Sequence, residues 1–95
     1  MGRIGGVPTT RPAQPTSDFS VDLAKHLHDY IGEHEEVSVR LVAARMGRSQ
    51  NYVYDRLSGL RPLDADVLAT VAVLSHIDAR GLLLTLTARM VTPKS

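Results

Sequence analysis

The stretch that decides the fold is Val39-Arg40-Leu41-Val42-Ala43-Ala44-Arg45-Met46-Gly47-Arg48-Ser49-Gln50-Asn51-Tyr52-Val53-Tyr54-Asp55-Arg56-Leu57-Ser58-Gly59. It reads as a short helix, a tight turn and a second short helix. In the first piece Val39, Val42, Ala43 and Met46 fall on one face at helical spacing. Ala43 is small enough to let another backbone approach. Gly47 follows the last apolar residue, where a helix end favours a residue tolerant of positive φ. Ser49 then stands where an N-cap is needed. In the second piece only Val53 and Leu57 share a face that can bury. Asn51 and Asp55 point the other way, flanked by Tyr52 and Tyr54, with Gln50 in the first turn beside them. Core packing alone does not account for a helix with so narrow an apolar stripe. Such a helix suits the DNA major groove, and its other reading is a polar, solvated face.

The stretch resembles the helix-turn-helix of the phage repressor and Cro superfamily, the lambda-repressor-like or xenobiotic-response-element type. The matching residues are Val42-Ala43, Met46-Gly47, Ser49-Gln50, Val53, Leu57 and Gly59, continuing through Arg61-Pro62-Leu63 and the pattern Val67-Leu68-x-x-Val71-Ala72. The likeness runs over residues 20–86, and in that family a further helix begins near Ile77-Asp78. Two positions depart from the pattern. Val39 stands where the family often has a glutamine that touches phosphate, and Arg56 stands where it usually has an apolar residue. The resemblance implies a compact, all-α, five-helix lambda-repressor-like domain that binds double-stranded DNA at an operator. It also implies a phosphate at the N-terminal end of the first motif helix, as helix N-termini can hold.

Ninety-five residues support one small domain with a modest core. There is no cysteine, which excludes disulfides and thiolate metal sites and accords with a reducing cytoplasm. The first 17 residues hold no apolar run of signal-peptide length, and nothing approaches the ~20 apolar residues of a membrane span. A net charge of +1 announces no nucleic-acid partner, but its distribution is uneven. Arg40, Arg45, Arg48, Arg56 and Arg61 are opposed in their region by Asp55 alone. Asp18, Asp22, Asp29, Glu33, Glu35 and Glu36 are opposed in theirs by Lys25 alone. One face is therefore expected to be basic and another acidic.

Residues 1–17, with Gly2, Gly5, Gly6, Pro8, Pro12 and Pro15 and no periodicity, read as a flexible arm. Arg3 and Arg11 are its charged side chains and could reach a neighbouring minor groove. The domain follows at 18–91, and 92–95 reads as a frayed end. In the first helix, Asp18 to His34, Leu23, Leu27, Tyr30 and Ile31 form the stripe, Ala24 lies beside it, and Ser17 or Ser20 can cap. His26 and His28 sit about 200° apart around a helix and cannot share a metal; His34 and His76 have no evident partner. Glu33 to Val37 reads as an acidic linker, Ser38 as the next cap. Leu41 falls outside its helix's stripe, so it either packs on a neighbour or is exposed. Pro62 keeps Arg61 out of helical geometry and on a loop. Asp64 caps a fourth helix buried through Val67, Leu68, Val71 and Leu74. Asp78 caps a fifth helix running to about Met90.

The base-reading candidates are Ser49, Gln50, Asn51, Tyr54 and Asp55. Gln and Asn can each pair with adenine through two hydrogen bonds, and Asp can accept from a cytosine amino group. Arg40, Arg45, Arg48, Arg56 and Arg61 are the phosphate candidates, and each taken singly reads equally well as a plain surface arginine. No nucleophile has a paired base, and no glycine-rich phosphate loop or carboxylate cluster is present, so no catalysis, cofactor or metal is expected. In the fifth helix Leu82, Leu83, Leu86 and Met90 gather on a sealing side. Leu84, Ala88 and Val91 gather on another, a candidate interface for a weak homodimer completed on DNA. The expected function is a sequence-specific DNA-binding transcription regulator, a phage or prophage immunity repressor or a Cro-like repressor. The alternative is a protein-interaction module on the same fold, of antitoxin or anti-repressor type, since a fold does not imply a function.

Overall fold

A computed structural model describes residues 16–91. The arm expected at 1–17 lies outside the described residues except for Thr16 and Ser17, as do Arg3, Arg11 and residues 92–95. Five helices follow in order: α1 Asp18–Glu33, α2 Val39–Met46, α3 Gln50–Leu57, α4 Ala65–Leu74 and α5 Ala79–Val91. No strand occurs among the described residues. The expected five-helix, all-α architecture is the one observed.

Short polar side chains set the starts of these helices. Ser17, Ser38 and Ser49 each accept the backbone N–H three residues on, from Ser20, Leu41 and Tyr52. Asp64 accepts from Asp66, and Asp78 from Arg80. Each satisfies a donor that the helix cannot, worth about 0.5–2 kcal/mol. Ser17, not Ser20, caps α1. The Ser20 hydroxyl instead accepts the Leu63 N–H at 2.8 Å and ties the loop after α3 to α1. After α2 the chain reverses through Gly47 at φ 69°, with Arg48 N–H donating to Ala43 O and Gly47 N–H to Ala44 O. That is a Schellman closure, and glycine suits its left-handed residue.

The core forms where the helical stripes meet. Leu27 of α1, Val42 of α2, Val53 of α3, Val67 and Val71 of α4, and Leu82 and Leu86 of α5 are its largest fully buried side chains. Each such burial contributes roughly 1.5–3 kcal/mol. α2 packs on α3 and α4, α1 on α3 and α5, and α4 on α5. α4 and α5 turn by 106° at the Ser75–Asp78 break. Among the described residues no single helix is long and apolar enough to cross a membrane.

Four details correct the sequence expectations. Leu83 does not seal α5: it is 37% exposed, because Leu82 and Leu86 centre the contact and Leu83 lies about 80° round from them. Val37 is not merely linker but core, at 4% exposure. It precedes the Ser38 cap, five residues before the equally buried Val42, the spacing of a hydrophobic staple. His34 does have a partner: its ring stacks on Tyr30 at 3.8 Å, and its Nδ1 lies 2.7 Å from the Tyr30 carbonyl. Tyr52 does not flank an outer face. It is half-buried and packs against the core. Leu41 is exposed.

Candidate nucleic-acid interface

α3 is an eight-residue helix held by its two ends and by the side chains of Tyr52, Val53 and Leu57. Val53 and Leu57 are buried; Gln50, Asn51 and Tyr54 are exposed, Tyr54 at 46%. Ser49 is exposed at the cap, and Asp55 is half-buried. Stepping about 100° per residue from Val53, Tyr54, Asn51 and Asp55 fill the arc facing away from Val53 and Leu57, whereas Gln50 falls on the Leu57 side and is exposed because it opens the helix. Tyr54, Asn51 and Asp55 therefore share one outward surface, with Asp55 the least accessible of the candidates, and Ser49 and Gln50 are exposed at the start of the helix. At the far end, the Asp55 carbonyl accepts the Arg61 N–H at 3.0 Å and the Ser58 hydroxyl at 3.2 Å, which draws the exit loop back against α3. Gly59 at φ 85° permits that reversal, and Val21 Cγ1 would lie 3.2 Å from any Cβ added there.

The five arginine candidates divide into two kinds. Arg40, Arg45 and Arg61 are exposed and form no ion pair among the described residues. Arg48 and Arg56 converge on Tyr52. Their guanidinium carbons lie 4.7 and 3.5 Å from its ring centroid, and Arg56 Nη1 also donates to the Tyr52 carbonyl at 3.2 Å. The Tyr52 hydroxyl donates to Asp64 Oδ2 at 2.6 Å. That bond holds the Asp64 carboxyl below its ordinary range, helped by the Asp66 N–H, and raises the Tyr52 phenol. The contact joins α3 to the cap of α4. Beside it opens a cleft of about 300 Å³, with Arg45, Arg48, Tyr52, Asp64 and Asp66 among its walls.

On α1 the acids are partly paired. Lys25 meets Asp29 at 3.5 Å and Arg89 meets Glu33 at 2.9 Å, exposed pairs worth about 0–1 kcal/mol. His26 Nδ1 sits 2.9 Å from the Asp22 carbonyl. Sequence reasoning missed His28, whose ring meets the edge of Tyr54 at 6.1 Å and so borders the outward face of α3. It also missed the Tyr52–Asp64 bond. The Tyr52–Arg56 contact has i, i+4 helical spacing and could have been read. The other two are tertiary. On α5, Leu84 is 69% exposed and Ala88 is exposed, whereas the Val91 side chain lies outside the described residues. No group of three or more metal-ligating side chains occurs among the described residues.

The structure thus defines a small all-α domain that displays a short polar helix behind a glycine turn, bordered by unpaired arginines. Comparison with protein-family models, curated proteins and solved structures finds no match for this chain.

Proposed function

We propose that this chain is a sequence-specific double-stranded DNA-binding transcription regulator, a helix-turn-helix protein of the phage or prophage immunity repressor or Cro type. In this reading α3 enters the major groove. The observation that carries it is the division of α3: Val53, Leu57 and the half-buried Tyr52 anchor it, and Gln50, Asn51 and Tyr54 stand exposed with no role in the core. Arg40, Arg45 and Arg61 add charge available to phosphates, and contacts of that kind set register while base contacts set sequence. Arg3 and Arg11 would extend the contact into the minor groove. A second copy docked through Leu84, Ala88 and Val91 would place two α3 helices about 34 Å apart, one DNA turn, and favour a palindromic site. Such a regulator acts in the cytoplasm of a bacterial host and needs no cofactor.

One observation favours the alternative, a protein-interaction module. Phe19, Leu60 and Leu84 are each more than half exposed, and the net charge is only +1. A single measurement separates the two readings. Binding to duplex DNA is titrated at two salt concentrations, and bound sequences are selected from a random duplex library. A DNA regulator loses affinity steeply with salt through counterion release and returns a consensus. Weak, salt-insensitive binding with no consensus would leave the interaction module.

A further inference from the structure

We propose that Tyr52 is the positioning residue of a two-arginine phosphate clamp: Asp64 holds its ring, and the ring holds Arg48 and Arg56 for a nucleic-acid backbone. The proposal rests on the DNA-binding reading and assigns work to two residues, Tyr52 and Asp64, that read no base.

The chain of contacts is continuous. Asp64 is fixed first, since its Oδ1 accepts the Asp66 N–H at 2.9 Å while its Oδ2 accepts the Tyr52 hydroxyl at 2.6 Å. The ring so held carries Arg56 at 3.5 Å and Arg48 at 4.7 Å. A guanidinium stacked on a ring engages through its flat face and keeps its N–H donors at the edge. Arg56 gives one donor to the Tyr52 carbonyl. The Arg48 guanidinium donates to no protein acceptor among the described residues, and neither arginine forms an ion pair within them. Around the ring and its cleft Arg45, Arg48 and Arg56 stand against Asp64 and Asp66, one positive charge in excess. Arginines held over the ring in this way would have less rotamer freedom left to lose when a phosphate binds. Arg48 precedes the α3 cap and Arg56 lies in its last turn, so the pair borders the length of the helix that carries Gln50 and Asn51.

The test is a double-mutant cycle on the full chain, read as affinity for a short duplex of arbitrary sequence at two salt concentrations. Arg56→Ala should weaken binding about tenfold in the parent, as loss of a charge-assisted contact does. In a Tyr52→Leu background the same change should cost about threefold or less, and in a Tyr52→Phe background, which keeps the ring but frees it from Asp64, the cost should fall between the two. Arg48→Ala should behave alike. A purely structural role for Tyr52 would weaken every variant by one factor and leave the arginine costs equal in both backgrounds; that result overturns the clamp. Should Tyr52→Leu fail to fold, Tyr52→Phe and Asp64→Asn decide. If the ring is held through their bond, the two substitutions together weaken binding no more than either alone, and additive losses overturn the proposal. A parent protein with no salt-dependent duplex binding overturns the DNA reading and the clamp with it, whereas additive cycles in a protein that binds overturn the clamp alone.

Discussion

Two helix ends in this protein close by the same motif with different residues at its critical position. After α2, Gly47 sits at φ 69° with Arg48 N–H on Ala43 O at 2.9 Å. After α4, His76 sits at φ 61° with Ile77 N–H on Ala72 O at 3.0 Å and His76 N–H on Val73 O at 3.1 Å. A residue with a Cβ costs about 1–2 kcal/mol in this left-handed geometry. Glycine offsets part of that by about 0.4–1 kcal/mol through its freedom in the unfolded chain. Packing does not enter: a Cβ at Gly47 would meet nothing within 4 Å, and His76 is exposed. Gly47→Ala should therefore destabilise by about 0.5–1 kcal/mol, and His76→Gly should stabilise by a similar amount. His76→Ala keeps the Cβ and should leave stability near the parent. Urea denaturation reads these as opposite shifts of the midpoint at constant slope, and thermal melting as about 4–8 °C per kcal/mol. A neutral Gly47→Ala would refute the backbone argument. So would a His76→Ala midpoint equal to that of His76→Gly, since the gain would then come from removing imidazole and not from the backbone.

Gln50→Ala or Asn51→Ala should lose about 1–3 kcal/mol of base discrimination with the fold intact, read by competition between a selected duplex and scrambled ones. Full retention of preference in both would remove α3 from the groove. Arg61→Ala should weaken all duplexes alike and flatten the salt slope by about one unit; a loss on one sequence with the slope unchanged would make Arg61 a base reader. Leu84→Asp should leave a folded monomer that no longer binds a palindrome cooperatively, checked by sedimentation and half-site titration. A parent that is monomeric at high concentration and binds half-sites as tightly as full sites would end the dimer reading. The Tyr52–Asp64 bond also sets a pH window. The Asp64 carboxyl is lowered from 3.8, so its contribution is complete above that value and lost as pH falls through the depressed one. The Tyr52 phenol is raised from 10.0, so its contribution is complete below that value and lost as pH rises through the elevated one. The stability difference between the parent and Tyr52→Phe should be flat between these limits and shrink beyond both; a difference independent of pH would mean that the bond does not form in solution.

Local chemistry made most of the helices legible in the amino-acid sequence. Ser38, Ser49, Asp64 and Asp78 each cap a helix by reaching a backbone N–H two or three residues away, and Gly47 reverses the chain within its own turn. Such contacts depend on spacing alone, so five helices and the outward placing of Asn51 and Tyr54 could be read from periodicity, and that of Gln50 from its place in the first turn. Even the His34–Tyr30 stack was there at i, i+4, though it went unread. Tertiary structure decided what depends on two distant segments meeting. Nothing about Tyr52 says that its hydroxyl reaches Asp64 twelve residues on, and that pairing turns an expected flank of the outer face into a half-buried anchor. Glu33 finds Arg89 across 56 residues, and His28 comes to border Tyr54 only because α1 packs on α3. The helical wheel of α5 placed Leu82, Leu83, Leu86 and Met90 together, yet the angle at which α5 crosses the domain chose Leu82 and Leu86 and left Leu83 out. A periodic pattern states which residues can share a face. How wide a strip of that face is covered depends on where the neighbouring helices lie, and only the packed chain determines that.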